Sequence, residues 1–265
     1  MSISFVSSMN KRLYEQYGKR FMQEFSEFAS ADLKLFVIFE GDYPEEAIKI
    51  SNNVIIVPLM SSHHEIFLKY FGHLLEPKGF KTRLFNENGV EKIQITPDYK
   101  YNAIRFSFKP FSIYQALDYI PLTTERLIWI DADLRCKKIF NEKSLEKFLP
   151  SYDELMSYLG RKDNYSECGF LGFNIKHEKF KIFIERVIQI YKSGEIFSLK
   201  EWHDSWIWDF VRKEFENLNI TFKNISGKGF AHYHPFINSG LEEYFDHLKG
   251  PKRKANGNSF KDDYQ

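Results

Sequence analysis

The sequence predicts an α/β domain built on one mostly parallel sheet with helices on both faces. Three observations carry this. The runs "LKLFVIFE" (33–40), "NNVIIVPL" (52–59) and "RLIWI" (126–130) are almost continuously apolar, as expected of strands covered on both faces. Helical periodicities lie between them, so strands and helices alternate, the pattern of a doubly wound parallel sheet. Finally, 265 residues, 43% of them hydrophobic, suit one large domain with an ample core, and 27 Phe and 15 Tyr predict an aromatic one.

Taken in order, "ISFVSS" (3–8) reads as the first strand. From Lys11 to Ala29 the apolar positions Leu13, Tyr17, Phe21, Phe25 and Phe28 recur at steps of three and four, which is an amphipathic helix. His63 to Leu75 reads as a helix. Glu76 to Lys100, with Pro77, Gly79, Gly89 and Pro97, reads as a loop or small excursion. Tyr101 to Tyr119 is helical, with Pro110 expected to kink or restart it. "RLIWIDAD" is the central strand. In open α/β sheets ligands bind outside the carboxyl ends of the strands, which is where Asp131 and Asp133 fall. Residues 1–254 form one domain by this reading, with halves 1–133 and 134–254. Residues 255–265 are a polar tail.

The formal net charge of +1 gives no global pull toward nucleic acid or anionic membrane, although "KGFKTR" (78–83) and "KRK" (252–254) are locally basic. No apolar run reaches the ~18–20 residues of a membrane span, and the opening residues do not form a signal peptide. Cys136 and Cys168 lack metal-ligand spacing and read as reduced, buried thiols of a cytoplasmic protein.

Chemistry concentrates in four stretches. In extended backbone, residues two apart face the same way, so Asp131 and Asp133 can converge on one cation, with Ala132 leaving room. Hard oxygen donors suit Mg²⁺ or Mn²⁺; the alternative is a turn-capping Asp. "YSECGFLGFN" (165–174) carries Gly169 and Gly172, which mark close approach within a strand. "EWHDSWIWDF" (201–210) sets Glu201, His203 and Asp204 ahead of a helix that Asp204 would otherwise simply cap. "DHLKGPKRK" (246–254) is either a solvated basic tail or a phosphate clamp. As a clamp it offers the His247 imidazole to a metal, Gly250 for close backbone approach, and Lys249, Lys252, Arg253 and Lys254 to anions.

The order of these pieces resembles nucleotide-sugar-dependent glycosyltransferases of the GT-A fold, and within them family 8. That family has an apolar strand ending in D-x-D, matched by Asp131-Ala132-Asp133. Its N-S-G segment corresponds to Glu167-Cys168-Gly169 and later Asn174, its D-Q-D-like helix start to Glu201-Trp202-His203-Asp204, and its late H-x-x-G-x-x-K to His247, Gly250 and Arg253, with Lys254 next. Arg253 stands for the family's lysine, its Pro-Trp is missing, and a separate GT-A family with the same donor machinery fits as well. The same stretches also resemble uncharacterised glycosyltransferase-like proteins of phages and bacteria.

The resemblance implies a Mn²⁺ or Mg²⁺ ion on Asp131, Asp133 and His247, with Asp131 on the metal or the donor ribose. The donor is a nucleotide sugar, UDP-sugar favoured. Lys249, Gly250, Arg253 and Lys254 would contact its phosphates, Gly169 would line the donor site, and the strand end from Ser7 to Asn10 would line the base pocket. Arg105 and Lys109, four apart on one helix face, reach the phosphates or sugar unless they are plain surface cations. Asp204, then Glu167, are the candidate catalytic carboxylates. His203 contacts sugar hydroxyls, works in acid/base chemistry or is a structural histidine. Of Trp202, Trp206 and Trp208, two belong to the core and one can stack on an acceptor. The acceptor is a saccharide or glycolipid, or hydroxymethylated pyrimidine in DNA; a sugar-nucleotide-binding protein without turnover is the remaining alternative. Residues 246–254 are expected to order only over a bound diphosphate.

Overall fold

The structure, a computed structural model, describes residues 1–226 and 234–260. Strand β1 (Ile3–Met9) passes through α1 (Lys11–Leu13), a π-helical turn (Tyr14–Gly18) and α2 (Lys19–Phe28) into β2 (Lys34–Phe39). There follow α3 (Glu45–Ile48), β3 (Val54–Pro58), α4 (Ser62–Phe71), a hairpin of β4 (Phe80–Glu87) and β5 (Val90–Pro97), and α5 (Ala103–Ala116). Next come β6 (Arg126–Ile130), β7 (Leu134–Cys136), α6 (Glu142–Leu145), β8 (Glu154–Arg161) and β9 (Asn164–Asn174). The chain closes with α7 (Phe180–Lys192), α8 (Asp204–Glu216), β10 (Thr221–Asn224), β11 (Phe245–His247) and α9 (Pro251–Asn256).

Seven strands form one sheet in the order β10-β8-β9-β6-β1-β2-β3. β3, β2, β1 and β6 run parallel, and β9 is antiparallel to both β6 and β8. The apolar runs are unbroken because the sheet has a core on each face. Phe5, Val37 and Ile128 point to one, with Phe25, Phe140 and Phe245; Val6, Phe36, Leu127 and Trp129 point to the other, with Phe67, Phe111, Phe183 and Trp208. Fully burying each such side chain stabilises by roughly 1.5–3 kcal/mol relative to leaving it exposed. Trp202 and Trp208 are core residues and Trp206 is half-buried. Both cysteines are free and buried. Among the described residues no helix is long and apolar enough to cross a membrane.

Three local features differ from expectation. The first helix begins at an Asn10 cap, whose Oδ1 accepts from the Leu13 N–H at 3.0 Å. Its π turn then inserts an extra residue, so Tyr14, Phe21, Met22 and Phe25 are buried while Tyr17 swings to the sheet's open end. At the end of that turn a Cβ on Gly18 would lie 2.3 Å from Met9 Sδ, so a larger residue there would displace the Met9 thioether between the helix and β1. Second, residues 80–97 are not a loop but a projecting ribbon turned by Asn88 (φ 55) and Gly89 (φ 82), the Asn-Gly hairpin chemistry. Third, α5 stays one helix through Pro110, with Asn102 capping its start.

A second, two-stranded ribbon completes the fold at the sheet's open end. β11 runs antiparallel to β7, with His247 opposite Leu134, and the Leu248 N–H reaches the Asp133 carbonyl at 3.4 Å. Of the segment expected to be a loose tail from 255, residues to Asn256 extend α9. Ser259 then donates to Asp246, and Arg135 donates to the Gly257 carbonyl. Residues 261–265 of that expectation lie outside the described residues.

Candidate functional site

β6 ends at Ile130, and the next three residues carry the site. The Asp131 N–H is held by the Gly169 carbonyl at 3.0 Å, which continues the β6–β9 ladder one step beyond the strand. Asp133 follows on the same side, and β11 delivers His247 from across the small ribbon. One ligand atom each of Asp131, Asp133 and His247 lies within 4.8 Å of the others. His247 Nε2 is 3.3 Å from Asp133 Oδ1 and 3.9 Å from Asp131 Oδ2.

The residues fit a divalent cation. Two carboxylates from the turn after β6 and one imidazole nitrogen from β11 converge. On the other side of the ring, Nδ1 makes no hydrogen bond but lies 3.7 Å from Glu167 Oε1, the position of a backing carboxylate that fixes a ligating imidazole. Gly169 forms the cradle: a Cβ there would sit 2.7 Å from His247 Cε1 and 2.8 Å from Nδ1.

Ammonium groups surround these carboxylates. Lys254 Nζ lies 2.6 Å from Asp133 Oδ2. Lys109 Nζ lies 3.0 Å from Asp131 Oδ1, 2.6 Å from Asp204 Oδ2 and 2.9 Å from the Cys168 carbonyl, and Lys249 pairs with Glu167. Burial pushes the Asp133 carboxyl up, but His247 and Lys254 together outweigh it and hold the group well below its usual range. Burial likewise opposes ionisation of Asp204, and Lys109 reverses it. Lys109 itself is held above the ordinary lysine value because Asp131 and Asp204 overcome its burial. Burial, followed by the field of Arg161, lowers Lys249 to about 8.

The cluster stands where two lobes of one cleft meet. One, of about 530 Å³, is lined by Ser8, Asn10, Tyr17, Glu40 and Trp129; the other, of about 610 Å³, by Tyr99, Arg161, Tyr165, Glu167, His203 and Lys249. Arg105, Lys109, Asp131, Asp133, Asp204 and Lys254 line both. The structure therefore gathers most of the expected residues. Gly250 (φ 82) turns the chain from β11 into α9, where Arg253 donates to the Lys249 carbonyl at 3.0 Å. It departs from expectation in three places.

Ser7 is fully buried, and Ser8 lines the cleft instead. His203, not Asp204, caps α8: its Nδ1 accepts from the Trp206 N–H at 3.3 Å, and its Nε2 meets Glu201 Oε2 at 2.9 Å. With both nitrogens engaged, His203 orients Asp204 at the helix start. The segment expected to order only on binding is already anchored, since Phe245, Asp246, His247 and Leu248 are buried.

Ser8 lay within the strand end expected to line the pocket, but the sequence reading missed Tyr17, Glu40 and Trp129, whose indole N–H donates to Asp131 Oδ1 at 2.7 Å. Glu40 ends an apolar strand run just as Asp131 does, a signal of the same kind. Burial raises its carboxyl to about 7, with hydrogen bonds from Ser8 (3.0 Å) and Asn10 (3.4 Å) pulling the other way. A carboxyl raised on folding favours the native state below its unfolded pKa, and that contribution fades as pH rises toward the folded value. Glu40→Gln is therefore expected to raise the melting temperature at pH 8 and leave it unchanged at pH 5. The gain is on the order of 1 kcal/mol, about 2–4 °C for a chain this size. Thermal unfolding at the two pH values measures it, and an equal shift at both would place the proton elsewhere.

No family model matches this sequence, and no curated protein does. The fold matches that of GT-A-type glycosyltransferases. The bifunctional glycosyltransferase WbbM superposes with a TM-score of 0.53 at 11% identity, over 94% of this chain and 46% of WbbM, so this chain spans slightly under half of that protein. A glycosyltransferase involved in glycosylation of the major capsid of PBCV-1 has a TM-score of 0.49 at 11% identity, covering 97% of this chain and all of that one. Mouse xyloside xylosyltransferase 1 has 0.45 at 13% identity, covering 84% and 85%. The chain thus has the GT-A fold, and the family 8 resemblance rests on its motifs.

Proposed function

We propose that this chain is a metal-dependent glycosyltransferase that moves a sugar from a nucleoside-diphosphate sugar, UDP-sugars first, to a hydroxyl of a saccharide or glycolipid. The observation that carries the reading is the Asp131–Asp133–His247 cluster, backed by Glu167 and cradled by Gly169, at the junction of two lobes of one cleft. Ser8, Asn10, Tyr17 and Glu40 offer the first lobe to a nucleoside. Lys254 and Arg105 stand where its diphosphate passes to the second lobe.

In the reaction the acceptor oxygen bonds to the anomeric carbon as the bond from that carbon to the diphosphate oxygen breaks. The electron pair leaves with the diphosphate. A divalent cation held by Asp131, Asp133 and His247 supplies positive charge against that leaving group. Lys254 is already at the cluster and can turn from Asp133 to a phosphate oxygen over a side-chain length. Asp204 and Glu167 each carry an ammonium partner, and Lys109 holds the Asp204 carboxyl below its ordinary value. They are better placed to hold the sugar and to face the positive charge that develops on it, so the acceptor proton passes to the diphosphate oxygen that is set free.

Asp204→Asn is accordingly expected to cut turnover on the order of 100-fold, through misplacement of Lys109 and the sugar. Affinity for nucleoside diphosphate should stay within about threefold, under 1 kcal/mol. Steady-state kinetics beside calorimetry separate the two, and an effect confined to thermal stability would leave Asp204 a structural group. The overall reading is tested by a transfer and donor-hydrolysis screen across nucleotide sugars with Mn²⁺. No nucleoside-diphosphate binding and no turnover would overturn it.

A further inference from the structure

A second groove, of about 700 Å³, opens beyond the acceptor-side lobe and shares Arg161, Asn164 and Tyr165 with it. Its walls come largely from β8 and from the part of α8 that lies beyond Asp204. Two features mark it. One is aromatic: Trp206 packs edge-on against Tyr165 with centroids 5.3 Å apart, and Tyr158 and Phe210 line the remainder. The other is charge. Five cations line the groove against the carboxylates of Asp163 and Asp209. Lys100 is tied to Glu201 at 3.1 Å, and Arg212 to Asp209 at 3.1 Å and Glu216 at 2.5 Å. Arg161, Lys200 and Lys213 meet no carboxylate among the described residues, and Lys200 Nζ hangs 5.8 Å above the Trp206 ring. In a chain of formal net charge +1, three unanswered cations on one aromatic groove are a local concentration.

Aromatic faces pack against the C–H faces of sugar rings, and isolated cations among them answer acidic substituents. Building on the glycosyltransferase reading, we propose that this groove docks the acceptor as an anionic saccharide chain. Its non-reacting sugars lie along Trp206, and its acidic groups meet Arg161, Lys200 and Lys213. The terminal hydroxyl then reaches past Tyr165 into the lobe that holds Glu167 and Lys249. Nucleic acid fits less well: affinity for a phosphodiester backbone grows with the number of phosphates neutralised, and three cations without a carboxylate partner, one of them (Arg161) also donating to the Tyr165 carbonyl, supply few such contacts.

The test uses the whole chain and an immobilised panel of equal-length oligosaccharides, neutral, uronate-bearing, sulfated and phosphorylated, with single-stranded DNA beside them. Lys200 and Lys213 are exposed and away from the metal cluster, so Lys200→Glu/Lys213→Glu should fold. The expected result is retention of acidic oligosaccharides over neutral ones, weakened at least about tenfold in the double variant and recovered in Lys200→Arg/Lys213→Arg. Which acidic arm is retained identifies the substituent. Preference for neutral chains, no retention, retention that the variant leaves unchanged, or retention of DNA alone would overturn the proposal. Binding of UDP with Mn²⁺ is measured on the same samples and should not differ between them. Loss of oligosaccharide retention with UDP binding intact removes the groove proposal only. UDP binding absent throughout, with acidic oligosaccharides retained, removes the transferase reading and leaves the groove.

Discussion

Asp133→Ala should lower sugar transfer by about 1000-fold or more, because it takes a carboxylate from the cation that offsets several kcal/mol of charge on the leaving diphosphate. The fold should survive. The Asp133 side chain lies at the sheet's open end, and its structural partner Lys254 is 34% exposed and can return to water. The acid limb of stability should change too. A carboxyl held below its ordinary value contributes stability above its unfolded pKa, ~3.9, and loses it as pH falls toward the folded value. The variant should therefore lose less stability than the parent between about pH 4 and pH 2. Near-normal transfer in saturating Mn²⁺ would remove Asp133 from the cluster's chemistry.

Gly169→Ala is expected to do nearly as much harm without altering a ligand. The added methyl would lie within 2.8 Å of two atoms of the His247 ring, closer than carbon atoms pack, so the imidazole must leave its position between Glu167 and the two aspartates. Displacing an orienting contact costs about 10–100-fold in metal affinity, and transfer should fall with it. The backbone at 169 is ordinary strand, and alanine suits a strand better than glycine, so unfolding should change little. Mn²⁺ titration by calorimetry or by paramagnetic resonance reads the loss directly. Unchanged Mn²⁺ affinity would mean that the ring is not a ligand or that it shifts freely.

Much of this was legible because buried strands write themselves as apolar runs. A run that stops on Asp131 and Asp133 must open onto something polar. The same rule applied to "LKLFVIFE" points to Glu40. Ser7 and Ser8 show where parity decides: Phe5, Ser7 and Met9 alternate onto one core, so the neighbouring serine faces the cleft. The π turn at 14–18 was not legible, because the steps of three and four survive on both sides of the insertion while the face between them rotates. Nor was the cap of α8. Propensity favours Asp at such a position. Glu201 instead holds one His203 nitrogen and leaves the other as the acceptor the helix start needs. His247 stood out in its own stretch, ahead of a glycine and four cations; that β11 pairs with β7 is a long-range fact no local pattern encodes.

The central position of β1 bears on how quickly the molecule can assemble. β1 pairs with β2 nearby but also with β6, where Ile3 lies beside Arg126, and β6 in turn pairs with β9 up to Asn174. These ladders close long loops, and loop closure must precede the contacts that reward it. Until β6 arrives, one edge of an intensely apolar strand is open, the condition under which partly folded chains pair with one another. Refolding should therefore be slow and concentration-sensitive, improving as the protein is diluted. Competence to bind a metal–nucleotide pair should return late, since its residues follow β6, which must close a long loop onto β1, and sit on the β7–β11 ribbon, which joins residues 134–136 to 245–247.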